Sequence, residues 1–131
     1  MDLFQMRVSR WVIECFGMET ANDKTERNHR FLEEALELVQ ACNCTADEAH
    51  QLVDYVFSRP VGERKQEVGG AYVTLSALCC AQNLDMIECG TAELIRIAQK
   101  DTMEKVRIKN DSKPKIKERG VLFTHAITDE G

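Results

Sequence analysis

The chain is poor in the features that build sheets, bilayer spans or basic surfaces. Its only prolines are Pro60 and Pro114, and alternating β-branched residues are scarce, so helices joined by short connections are expected rather than strands. No apolar run approaches the roughly 20 residues of a bilayer span. The N-terminus has no basic stretch followed by an apolar one, the mark of a secretory signal. A cytoplasmic protein without a membrane partner is expected, in the host cytoplasm if the chain is phage-encoded. Positive charge is also in deficit, the formal net charge being −5. This disfavours polymeric nucleic acid and leaves a small phosphate ligand open. Cysteine is plentiful, at Cys15, Cys42, Cys44, Cys79, Cys80 and Cys89. Yet Cys-x-Cys and Cys-Cys match no common zinc spacing, and several of the six lie in apolar helical patterns, which favours reduced structural thiols. There is no internal repeat.

What is present is a globular balance, 44% hydrophobic and 30% charged over 131 residues, enough for one domain with one core. Residues 7–18 place Val8, Trp11, Val12 and Cys15 on one stripe of a helix that Gly17 ends. A second helix is expected from Thr25 to Cys42. Thr45-x-x-Glu48 forms a capping box for a third, which ends near "SRP". After a turn at Pro60 and Gly62, "ERKQEVGGAYVTLSALCCAQ" reads as a long helix, apolar on every side beyond Glu67 and suited to the centre of a bundle. A last helix runs from about Asp85 to Asn110. The charged "DSKPKIKERG" then opens a tail expected to be mobile or ordered only by a partner. The fold class is all-α, a bundle of four to five helices over residues 1–110 with a tail at 111–131.

"RFLEEALELVQ" carries the candidate chemistry. With Glu33 at 0°, Glu37 lies at about 40° and Glu34 at about 100° on a helical wheel, opposite Phe31, Ala35, Leu38 and Val39. An ordinary amphipathic surface helix has the same pattern. Glu67 supplies a second half, because Ala71, Thr74, Leu75 and Leu78 continue its face, which points it inward. An inward carboxylate needs a cation, a metal or a hydrogen-bond donor. Gly69 and Gly70 each cost a helix about 1 kcal/mol relative to alanine, which suggests a close helix approach or room for a ligand. Four converging carboxylates would call for a divalent cation, and oxygen ligands favour Mg2+ or Mn2+ over zinc.

Glu-Glu-x-x-Glu on one helix and Glu-x-x-Asp on a later one resembles the all-α nucleoside triphosphate pyrophosphohydrolases, the MazG-like superfamily. "ERNHRFLEEALELVQAC", "TADEAHQLVDYV", "RPVGE" and "QEVGGAYVTLSALC" are similar to the small phage-type dATP/dGTP diphosphohydrolases, over roughly residues 6–110. The resemblance implies Glu34 and Glu37 as metal ligands, Glu33 as a further ligand or the group that activates water, and Glu67 as the ligand from the second helix. Gly70 stands where Asp is expected. The site then uses fewer ligands, recruits Asp54 or Glu63, or has lost activity. The implied reaction is attack of water on the α-phosphorus of a deoxynucleoside triphosphate, purine forms preferred, with two or three Mg2+ or Mn2+ ions. It releases the monophosphate and pyrophosphate, for nucleotide-pool control or for a phage's 2-aminoadenine DNA synthesis. Relatives assemble as homodimers or dimers of dimers.

Lys100, Lys105 and Arg107 are candidates for the phosphate tail, or else cations that favour a helix C-terminus. Trp11 can stack on a base or lie in the core, and Asn28 and His29 can read a base edge or lie on the surface. His50 and His125 read as structural. Two alternatives stand beside the purine hydrolase: the same reaction on dCTP or dUTP, and a catalytically inactive helical adaptor whose acids are only a surface.

Overall fold

The computed structural model describes residues 1–116 and 122–123. Among them the chain forms seven helices: α1 (Leu3–Phe16), α2 (Met18–Ala21), α3 (Lys24–Ala41), α4 (Ala46–Phe57), α5 (Arg64–Ala81), α6 (Met86–Ile97) and α7 (Lys100–Asp111). Two-residue strands β1 (Lys115–Ile116) and β2 (Leu122–Phe123) pair antiparallel, Lys115 opposite Phe123. The fold class is all-α, as the missing strand signals imply. Of the tail expected at 111–131 to be mobile or ordered only by a partner, Asp111 is the last residue of α7 and β1 pairs with β2, while 117–121 and 124–131, with His125, lie outside the described residues.

Side-chain caps set most helix starts. The Asp2 carboxylate accepts from the Gln5 N–H at 2.8 Å and opens α1 at Leu3, four residues before its apolar stripe suggests. Asp23 does the same for α3, from the Glu26 N–H at 3.0 Å. At α4 the capping box forms as expected: the Glu48 N–H donates to Thr45 Oγ1 at 3.1 Å, and the Thr45 N–H donates to Glu48 Oε1 at 2.8 Å. The Thr45 backbone amide, with its hydroxyl, holds the Glu48 carboxyl below the usual glutamate range. Gly17 closes α1 at φ 92°, a backbone that favours glycine.

Seven helices replace the expected four to five for two reasons. The short α2 follows Gly17 directly, and the last helix is two. Its break falls at Ala98 and Gln99, where the Ile97 carbonyl accepts the Trp11 indole N–H at 2.8 Å. Gln99 turns extended (φ −66°, ψ 138°), and its carbonyl restarts α7 by accepting the Met103 N–H at 2.9 Å.

The described chain falls into two compact units, residues 1–21 with 88–131, and residues 22–87. In the first, Cys15, Leu94 and Met103 are buried, and Val8, Trp11 and Val12 are half-buried beside Cys15 on the expected stripe. Trp11 and Phe16 meet edge to face, 5.5 Å between ring centres. Burial pushes the Cys15 thiol up. All six cysteines are free thiols.

The second unit, α3 to α5, is different. None of residues 22–87 is buried, and 51–74 are exposed throughout. Helices α3, α4 and α5 meet one another at most marginally. The expectation that α5 occupies a bundle centre is therefore corrected for this unit. Only Leu75, Ser76, Leu78 and Cys79 along α5 are half-buried, while Val68, Tyr72 and Val73 are 69%, 62% and 67% exposed. Most of the apolar surface of α5 is thus uncovered within its unit.

Candidate functional site

Helix α3 carries the acid triplet as its spacing dictates. Glu33 is half-buried, whereas Glu34 and Glu37 are exposed. One turn upstream, Arg30 sets Nη1 3.0 Å from Glu33 Oε1 and Nε 3.5 Å from Glu26 Oε2, with its side chain only 13% exposed. Glu26, Arg30, Glu33 and Glu37 recur at three- and four-residue steps and so share one face. Arg30 is absent from the sequence-based candidates. Its signal was its place four residues after Glu26 and three before Glu33, a charge pattern that stabilises an isolated helix. Glu37 has no basic residue one turn away in either direction. Asn28 is exposed and His29 half-buried, both one turn before the acids.

The acids near α5 divide their work. Glu63 caps the helix: its two carboxylate oxygens accept from the Lys65 and Gln66 N–H groups, each at 3.1 Å. Glu67, one turn into α5, lies over Gly62, which precedes the Glu63 cap in the α4–α5 connection. It is exposed, not inward-pointing. Sequence places it with Leu75 and Leu78 because they share its face, but nothing in the unit covers the first three turns of that face. A Cβ built at Gly69 or Gly70 meets nothing within 4 Å, so there is room beside them rather than a close helix. Asp54 is exposed on α4, as is His50.

The remaining candidates belong to the first unit. Half-buried Trp11 spends its indole N–H on Ile97. The Arg107 Nε–H donates to the Cys15 carbonyl at 2.7 Å, and Nη1 lies 3.4 Å from Glu104 Oε1, so this guanidinium fastens α7 to α1. Lys100, the first residue of α7, and Lys105 are exposed. On a helix Lys100 and Arg107 share a face, with Lys105 about 140° away. The three cations do not form one cluster along α7.

The acid triplet of α3 and Glu67 offer carboxylate oxygens, the chemistry of a hard divalent cation. Among the described residues, however, no three His, Cys, Asp or Glu side chains gather as a group that could hold a metal ion. The structure brings Glu33, Glu34 and Glu37 together as neighbours on one helix and places Glu67, Glu63 and Asp54 in the same unit. It does not gather them into one cage. No family model matches the chain, and neither does any curated protein or solved structure. No helix among the described residues is long and apolar enough to cross a membrane.

Proposed function

We propose that the chain is a MazG-like nucleoside triphosphate pyrophosphohydrolase that takes deoxynucleoside triphosphates, purine forms first, to the monophosphate and pyrophosphate. The observation that supports it most is the state of α3. Three glutamates stand within two turns of one helix, two of them exposed, and only Glu33 is paired with a helix cation. Like charges at this spacing repel and weaken a helix, so the arrangement is better suited to a bound cation than to a bare surface.

Glu34, Glu37 and Glu67 would hold Mg2+ or Mn2+, by the donor chemistry alone. Such an ion neutralises a triphosphate and lowers the proton affinity of a bound water. The part played by the chain itself is acidic positioning. Arg30 fixes Glu33, and the Glu63 cap fixes the start of α5 that carries Glu67. Trp11 is tied to Ile97 at the end of α6 and Arg107 to Cys15 on α1, so both serve the packing of the first unit first.

The same reading holds that the working form is a homodimer or a dimer of dimers. Phe57 and Val61, at the α4–α5 turn, are 84% and 100% exposed, and the apolar side chains of residues 51–74 on α4 and the start of α5 lack cover in their unit. Contiguous apolar surface of this kind usually marks an association site. The direct test is product analysis across deoxy- and ribonucleoside triphosphates with Mg2+ or Mn2+. Equal amounts of pyrophosphate and monophosphate are expected, fastest for dGTP or dATP. A dCTP or dUTP preference would keep the reaction and change the base. No product with any substrate would leave a helical adaptor as the better reading.

A further inference from the structure

The sequence shows no internal repeat, yet the backbone builds one segment twice. Helices α3 and α5 have 18 residues each, α4 and α6 have 12 each, and residues 42–45 and 82–85 join the two pairs. The connections share their hydrogen bonds. Asn43 and Asn83 are the only non-glycine residues among those described with a positive φ, 74° and 58°. The amide that follows each reaches back into the long helix, Cys44 N–H to the Val39 carbonyl at 2.9 Å and Leu84 N–H to the Cys79 carbonyl at 2.8 Å. An acid caps both long helices, Asp23 accepting the Glu26 N–H and Glu63 the Gln66 N–H. Leu38, Ala41, Asn43 and Glu48 recur as Leu78, Ala81, Asn83 and Glu88, too few identities for the repeat to show in the sequence.

The two long helices therefore compare position by position. One face of α3 runs through His29, Glu33 and Glu37, at four-residue steps. The equivalent face of α5 runs through Gly69, Val73 and Ala77, all exposed. No charged residue occurs from Val68 to Leu84. Helix α3 shows how this chain builds that face for water, and α5 leaves it open without the charge. A face free of charge is what self-association requires of a chain with net charge −5, because like charges set against each other repel. We propose that the face of Gly69, Val73 and Ala77 packs against the same face of α5 in a second copy, antiparallel about a twofold axis at Val73. The proposal rests on the self-association in the hydrolase reading and names the helix that carries it. In a twofold contact one patch meets itself. With the axis at Val73, each Val73 meets its counterpart and each Gly69 meets Ala77. A Cβ at Gly69 would meet nothing within 4 Å, so there is room for the approaching helix.

The experiment is sedimentation of the full chain over a concentration series, with helical content followed by circular dichroism, for the wild type, Val73→Glu, Val73→Lys and an equal mixture of the two variants. Val73→Glu gives α5 the residue type that α3 carries at Glu33, so a water-facing helix should tolerate it. Each variant alone should keep its helical content and raise the dissociation constant at least about tenfold, because the twofold sets two like charges face to face. The mixture should associate more tightly than either component, since opposite charges then meet. Wild-type association by either variant alone, or a mixture no more associated than its components, would overturn the pairing of α5 with itself and point to another protein or another part of the chain as the cover. A monomeric wild type would overturn it too. Pyrophosphate release on the same samples separates the two readings: release from a monomeric wild type keeps the hydrolase and removes this contact, whereas the expected pairing without release keeps the contact and removes the hydrolase.

Discussion

Glu48 and Cys15 shift in opposite directions because the fold stabilises opposite forms. The Thr45 amide and hydroxyl stabilise ionised Glu48, so its folded-state proton affinity lies below the unfolded one. Its contribution is present above the unfolded value, about pH 4.3, and is lost as pH falls through the lowered one. Urea unfolding followed against pH should therefore show a shallower acid loss for Glu48→Gln than for the wild type. Desolvation raises Cys15, so its contribution is present below the unfolded thiol value of about 8.5 and lost as pH rises through the raised one. The buried, protonated thiol should also be the slowest of the six cysteines to alkylate, and exposed Cys80 and Cys89 among the fastest, as peptide mass mapping would show.

At the level of elements, some helix ends made by a local side chain were readable, though the Asp2 cap that starts α1 at Leu3 was missed. Thr45 and Glu48 announce α4, and Gly17 announces the end of α1, because the atoms that satisfy those backbone groups lie within four residues. The break between α6 and α7 was not readable, since the group that takes the Ile97 carbonyl is the Trp11 indole, 86 residues away in sequence. That dependence gives a prediction. Trp11→Phe removes the donor while keeping an aromatic ring, and should lower stability by about 1 kcal/mol, the usual worth of such a bond, in a denaturant titration. A change well below half of that would mean the break is set by the Ala98–Gln99 backbone alone. The orientation of Glu67 was misread for a related reason. Apolar neighbours at helical spacing signal a face that wants cover, and periodicity does not say whether the chain's own unit supplies it.

For the molecule as a whole, the second unit poses the main physical question. A stretch of 24 residues, 51–74, that includes Leu52, Tyr55, Phe57, Val68 and Tyr72 and buries none of them gains little from the hydrophobic effect in its own unit. Cover by a second copy predicts a dimer or tetramer in sedimentation at micromolar concentration, and Val68→Asp should shift it toward monomer with helical content retained. A wild-type monomer that is stable at that concentration would count against self-association. The acid triplet was legible because three carboxylates in one helical segment need only α3 to be neighbours. The relation of α3 to Glu67 was not, because it depends on how separate helices come together.

Metal-dependent pyrophosphate release from dGTP and dATP by the wild type, beside Glu37→Gln on α3 and Glu67→Gln on α5, tests the central proposal most directly. Release that requires Mg2+ or Mn2+ and falls at least a hundredfold in each variant, with melting temperature unchanged, is the predicted result. Release untouched by both substitutions, or none from the wild type with any metal, would contradict it.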